Sequence, residues 1–195
     1  MTDPSEPLQA ALSLLPAGRV RDVVRAPAPV LSAPGRELDP TDPGTVGLCA
    51  DLVATMAVSP GCVGLAAPQI GESGQAFCVD VSGHPKARTR HGLIVLVNAV
   101  ISQASRNERG REGCMSVPDL TGDVKRATRV TVSGQLPVTG VSVELSTDAF
   151  EARAIQHEID HCAGFLFLDR VAGAHALHAR KVYLPPPGDD AAPTH

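Results

Sequence analysis

The chain predicts an α+β fold, mostly antiparallel β-sheets packed around a central C-terminal helix, and three observations carry that expectation. Leu93 to Ile101 is a continuous apolar run, rich in Val and Ile and bounded by polar residues, as in a buried strand. Arg129 to Ser133 and Val141 to Ser146 are alternating or β-branched runs separated by Leu136-Pro137-Val138-Thr139-Gly140, the pattern of an antiparallel hairpin. Asp148 to Cys162 then has helical spacing, with Phe150, Ala154, His157, Glu158 and His161 on or beside one face. Residues four apart on a helix stand about 40° apart around the axis and about 6 Å along it, so both imidazoles can reach one cation. The expected centre of the fold is therefore a metal-binding helix.

Composition bounds the function. A chain of 195 residues suits one domain, and its interior must be aliphatic, because aromatic residues make up only 3% and Trp is absent. The net charge of -4, with no dense basic run, argues against direct DNA binding and against attraction to an anionic membrane. No apolar segment is long enough to span a bilayer, and Asp3, Pro4, Glu6 and Pro7 break the charged-then-apolar order of a signal peptide. The expected location is cytoplasmic. Cysteines number five, without regular spacing, and point to free thiols rather than to a disulfide framework.

In chain order, residues 1–44 read as a Pro-rich arm wrapping a single catalytic domain at 45–184, followed by a frayed tail at 185–195. The arm holds eight of the 17 prolines, and only Leu8 to Leu15 is suited to a helical turn or two. Thr45 is placed to cap a helix with an apolar stripe at Val46, Leu48, Cys49, Leu52, Val53 and Met56, and Ser59-Pro60-Gly61 stops it. Cys62 to Gly71 is small and apolar with one amide, Gln69, and reads as a buried edge strand beside a turn. Ala76 to Val81 is a strand containing Cys78, Ser82 to His91 a polar loop, and Ser105 to Arg111 a charged loop. Glu112 to Pro118 is a short loop in which Cys114 is either a packed small hydrophobe or a side chain aimed at a site. Asp148 with Glu151 makes a capping box for the central helix, and Gly164 ends it in a left-handed conformation. Phe165 to Leu168 packs back beneath it, and a shorter helix is expected from Val171 to Tyr183.

His157-Glu158-Ile159-Asp160-His161 is the motif with chemistry in it. The bland alternative is two surface histidines beside a solvated Glu. On an amphipathic helix the spacing points instead to a metal, with Glu158 placed to handle a bound water without being a ligand. A zinc peptidase needs a third ligand, which one class supplies by extending the motif to His-x-x-Gly-x-x-His; here Gly164 matches but Phe167 stands in the last position. No Glu follows Glu158, and Asp169, His175 and His178 read more economically as surface or tail residues. The missing ligand is expected upstream, and Cys114 is its best candidate.

Three stretches then carry a resemblance. Gly64-Leu65-Ala66-Ala67-Pro68-Gln69, Glu112-Gly113-Cys114-Met115-Ser116 and Gln156-His157-Glu158-Ile159-Asp160-His161 resemble, in this order, the marks of the peptide deformylases. The resemblance implies a hydrolase of protein biosynthesis that removes the formyl group from N-formylmethionyl termini of newly made polypeptides and releases formate. It implies that Cys114, His157 and His161 bind one divalent metal, with water in the fourth position, and that Glu158 is the general acid and base. It further implies that the Gln69 side chain and the backbone N–H of Met115 steady the charge developing on the formyl oxygen. Arg126 would pair with Glu112 or Asp160. The implied ion is Fe2+, although thiolate with two imidazoles also suits Zn2+ or Ni2+. The physics agrees, because a bound metal can lower the pKa of water from about 15.7 to about 7.

The small residues gain a purpose in this reading. Gly64 and Leu65 would let an extended peptide lie against the site through its backbone, with Ala154 and Ile155 as candidate walls for the methionine side chain. Three positions depart from the family pattern: Cys62 for the first Gly of Gly-x-Gly, Met115 for a common Leu, and Thr121 where many members carry an Arg that contacts the peptide. Two other readings stay open, an endopeptidase with the same water chemistry and a non-enzymatic metal-binding or ribosome-associated module. Arg180 and Lys181 motivate ribosome association.

Overall fold

Two short apolar runs form the middle of the molecule because both of their faces are covered. A computed structural model describes residues 5–180, and its elements in chain order are α1 (Ser5–Ser13), α2 (Pro43–Val58), β1 (Gly64–Ala66), β2 (Ala76–Val79), β3 (Ile94–Cys114), β4 (Val117–Gln135), β5 (Ser142–Asp148), α3 (Ala149–Cys162) and β6 (Leu177–Ala179). The strands are antiparallel in the order β1-β2-β3-β4-β5, with β6 on the other edge of β4 at residues 120–122. Phe77, Val79, Ile94 and Leu96 face α3 through Ala152 and Ile155; Cys78, Val95 and Val97 face α2 through Cys49, Leu52 and Met56. A strand sandwiched in this way needs no polar alternation, which is why both runs are continuously apolar. The α+β expectation and the β4–β5 hairpin hold, the latter with Val130 opposite Thr147 and Val132 opposite Leu145.

Several elements differ from expectation. The continuous burial of β3 stops at Val97 and returns only at Glu112 and Cys114, and Val100 is 57% exposed. Asn98, at φ 52, turns the strand outward while its amide holds Leu38 N and O at 2.9 and 2.7 Å and Gln135 Oε1 at 2.9 Å. Ser105 to Arg111 is not a loop, because β3 runs through it paired with β4, Glu108 opposite Arg126 and Gly110 opposite Val124. In such a ribbon β4 contributes the buried Val124, Ala127 and Val130, so its partner needs no apolar face. The helix α2 is capped by Asp42, whose carboxylate accepts from Gly44 N and Thr45 N at 2.9 and 3.1 Å, and not by Thr45. Pro43, lacking an N–H, is at ease as the first helical residue and moves the start upstream.

The central helix begins and ends where expected, but its caps are mixed. No side-chain bond from Asp148 caps it; that carboxylate accepts from Thr89 Oγ1 at 2.9 Å, and Glu151 accepts from Thr147 Oγ1 at 2.6 Å and His91 N at 2.9 Å. The expected capping box is thus given over to holding the 82–91 segment. Gly164, at φ 82, closes the other end, with Gly164 N donating to His161 O and Phe165 N to Asp160 O at 3.1 and 2.9 Å. A Cβ there would also stand 2.7 Å from the Ala33 carbonyl carbon. The helix expected from Val171 to Tyr183 is instead a 3-10 turn, Ala174–Ala176, followed by β6. Gly173 sits at φ 154, which interrupts any helix, and the following residues fill the free edge of β4. Tyr183 and the tail lie outside the described residues.

The arm is stitched to the segments that matter. Leu8 and Ala11 of α1 are buried in the α3 core, and Leu31 packs in the cluster that holds Cys114. Val24 N donates to Gln69 O at 2.8 Å, Ala26 N to Ser116 O at 2.9 Å and Gly35 N to Cys162 O at 2.8 Å, so one strap touches all three motif regions.

Candidate metal centre

Three elements converge on one point. Helix α3 sets His157 and His161 a turn apart, and β3 ends in Cys114 beside a tight Met115-Ser116 turn, with Cys114 paired to Val117. Cys114 Sγ lies 3.2 Å from His161 Nε2, which lies 3.1 Å from His157 Nε2, and the ligand atoms of the three residues all lie within 4.8 Å of one another. All three residues are buried. A tetrahedral ion about 2.0–2.1 Å from its nitrogens would space two of them about 3.3 Å apart, so the donor set fits such an ion. Glu158 Oε2 is buried without a hydrogen-bond partner among the described residues, as expected of a site built to be completed by a ligand, and His161 Nδ1, on the far side of its ring, is likewise unpartnered there.

The surrounding charges hold these groups in place. Glu112 Oε2 lies 3.0 Å from His157 Nδ1, which turns His157 Nε2 toward the centre. Glu112 in turn accepts from Arg126 at 2.9 and 3.0 Å and from Arg153 at 2.8 Å. Burial opposes its charge, but His157 and Arg126 win and hold its carboxyl far below the usual carboxylate range. Arg126 also bonds Asp160, which accepts two further bonds from Arg170 at 3.0 and 2.6 Å. The Gln156 amide clasps Ala127 N and O at 3.0 and 2.8 Å, pinning α3 to β4. Burial also opposes a charge on His157, yet Cys114 and Glu112 raise its pKa; burial and then the His157 charge push His161 well below its ordinary value. Of the two imidazoles, only His157 thus has neighbours that favour its charge.

Gln69 and Glu158 complete the constellation. Gln69 is buried in the 3-10 turn Ala67–Ile70; its Oε1 accepts from Ala66 N at 2.9 Å, which aims Nε2 at Cys114 Sγ, 3.3 Å away. Glu158 is buried, and desolvation pushes its pKa up to about 7, opposed by His157 and assisted by Glu112. Gly64 leaves room for that carboxylate, since a Cβ there would lie 2.4 Å from Glu158 Oε1. Gly64→Ala is expected to displace Glu158 and lower kcat by about tenfold to a hundredfold with metal content unchanged, because small misplacements of reacting groups are that costly. Unaltered kcat in the metal-loaded variant would show that Glu158 tolerates the shift.

A cavity of about 350 Å³ opens over these groups, between Pro60 to Gly64 on one side and Arg111 to Met115 on the other. Ala154 lines it, whereas Ile155 is fully buried in the core. Leu65 likewise turns its side chain into the α2 core and does not line the cavity, and Met115 both lines it and packs against that core. Cys62 is accommodated at the rim, its thiol donating to Gly64 O at 3.1 Å. Sequence reasoning missed Phe150 and Arg153 as wall residues and Glu112 as the partner of His157. Signals for them existed: Glu112 and Cys114 share a face of one strand, and Arg153 lies one turn before His157.

Comparison with known proteins places this arrangement. The family described as polypeptide deformylase matches residues 20–176. A peptide deformylase of Carboxydothermus hydrogenoformans is 40% identical over 151 residues, covering 77% of this chain and 93% of that protein. One from Desulforudis audaxviator is 40% identical over 164 residues, covering 83% and 98%. Among solved structures, peptide deformylase from Thermotoga maritima superposes with a TM-score of 0.71 at 29% identity, over 80% of this chain and 99% of the other. That from Legionella pneumophila gives 0.71 at 34% identity, over 79% and 87%.

Proposed function

The chain belongs to the peptide deformylase family, and on that premise we propose how its residues divide the work. It is a metal-dependent hydrolase that removes the formyl group from the N-terminal methionine of newly made polypeptides. Cys114, His157 and His161 would hold the ion, which when bound supplies a Lewis acid and makes water acidic enough to react near neutral pH. We assign Fe2+ from the family resemblance, since these donors suit Zn2+ and Ni2+ as well.

Glu158 moves the protons. Its pKa of about 7 lets it take a proton from water and return it to the departing amine at neutral pH. The formyl C–N bond breaks, leaving formate and a free N-terminus. Gln69 Nε2, fixed through Ala66 N, donates to the formyl oxygen as charge develops there, and Met115 N–H is the second donor. Gln69→Ala is expected to cut kcat about a hundredfold or more, the usual cost of losing one such donor. Turnover near wild type would remove Gln69 from the mechanism.

The peptide has two strand edges to lie between. Among the described residues β1 pairs only with β2, and β3 at Glu112 and Gly113 pairs only with β4, so Gly64 and Gly113 each offer an edge to a backbone that carries no sequence information. Phe150 and Ala154 wall the space for the methionine side chain. The catalytic unit is taken as residues 45–184 with the arm docked on it. No described helix is long and apolar enough to cross a membrane; the cytoplasm, where formylated chains emerge, is the location we assign. Ribosome association, motivated by Arg180 and Lys181, belongs to the same proposal, although Lys181 lies outside the described residues. Net charge -4 supports no direct DNA contact.

The observation that carries this reading is Gln69 Nε2 standing 3.3 Å from the sulfur of a buried Cys-His-His set. Anaerobically purified protein is expected to contain a single divalent ion per chain, to release formate from formyl-Met-Ala-Ser, and to lose that activity on chelation. Cleavage of an unformylated internal peptide bond at comparable efficiency would favour the endopeptidase.

A further inference from the structure

We propose that Arg180 makes this enzyme prefer peptides carrying a negative charge one or two residues after the formyl-methionine, a proposal that rests on the deformylase reading above. Three arginines line the cavity: Arg111, Arg153 and Arg180. Arg153 is committed to Glu112, Val124 O and Glu108 O, and Arg111 to Asp123 at 2.7 Å. Arg180 has no carboxylate partner among the described residues, while the cavity's own carboxylates, Glu112 and Glu158, are buried at its floor. The rim is therefore positive where the floor is spent, and a positive rim attracts anionic groups.

The placement of Arg180 is built by small residues. Its N–H donates to Asp119 O at 2.8 Å, extending the β6–β4 pairing by one step. The side chain then crosses β4 to reach β3, where a Cβ on Gly113 would stand 2.3 Å from Arg180 Nη2 and 3.3 Å from Thr121 Cγ2. Glycine at 113 leaves room for the guanidinium, and the short Thr121 leaves room for its stem. Gly113 directly precedes Cys114 and offers the β3 edge proposed above for the peptide backbone, and a strand advances about 3.3 Å per residue, so the charge stands beside that path about one residue from Cys114.

The test compares formyl-Met peptides ending in an amide, with Glu or its neutral isostere Gln at the second or the third residue. Wild type is expected to favour Glu by about two- to fivefold in kcat/KM at low salt, chiefly through KM, as a partly exposed ion pair provides. The ratio should fall to one in Arg180→Gln, and Arg180→Glu should prefer the corresponding Lys peptide. Each ratio is taken within one variant, so partial misfolding cancels, and a gained Lys preference cannot arise from lost structure. No preference in wild type at either residue, or a preference that survives in Arg180→Gln, would overturn the proposal. Failure of wild type to release formate even from the Gln peptides would overturn the deformylase reading and this proposal with it.

Discussion

Glu158→Gln is expected to keep its metal and lose kcat by about 10²–10⁴-fold, the range over which general acid–base groups contribute. The substitution preserves volume beside Gly64 and touches none of Cys114, His157 or His161, whose ligand atoms lie within 4.8 Å of one another without it. What disappears is the one side chain whose burial lifts it to about 7 and so allows it both to accept and to deliver a proton at neutral pH. Metal analysis and formate release measured on the same preparation decide the matter. A variant with full metal and near-normal turnover would remove Glu158 as the proton carrier.

Arg126→Met is expected to be among the most destabilising single changes outside the apolar core, by about 3 kcal/mol, because it removes the buried cation that Glu112 and Asp160 share and leaves Glu112 to Arg153 and His157 and Asp160 to Arg170. Arg126, Glu112 and Asp160 have side-chain exposures of 6%, 4% and 11%, and Arg126 bridges the other two. Urea unfolding of metal-loaded protein measures the loss. The depressed pKa of Glu112 also gives the effect a direction in pH. In wild type this contribution is complete above the ordinary Glu range, near about 4.3, and is lost as pH falls through the depressed folded value. The variant, retaining only Arg153 and His157 around Glu112, should lose it at higher pH. A loss below about 1 kcal/mol would show that Arg170, Arg153 and His157 suffice for the two carboxylates, since such small values are ordinary for surface pairs.

The elements read correctly from sequence are those whose pattern is local. The runs that became β2 and the start of β3, the β4–β5 hairpin and the stop at Gly164 each announce themselves within a few residues. The elements read wrongly are those whose partner is distant. Ser105 to Arg111 looks like a loop until β4 is beside it, and the stretch from Val171 toward Tyr183 looks helical until the open edge of β4 is known. Asp148 and Glu151 have the spacing of a capping box, yet Thr89, Thr147 and His91 claim their oxygens.

The same division runs through the site. By itself the sequence determined that His157 and His161 share a helix face with Glu158 beside them, because helical pitch converts a spacing of four into proximity. Tertiary structure alone decided what those groups meet. Gln69 reaches Cys114 across 45 positions, Glu112 locks His157 across 45, and Cys114 approaches His161 across 47. A polar side chain carries no local mark of its distant partner, and only the packing of β3 and β4 under α3 brings these donors and acceptors together. The chain thus announces a metal-binding helix, and its fold decides which bond that helix is set to break.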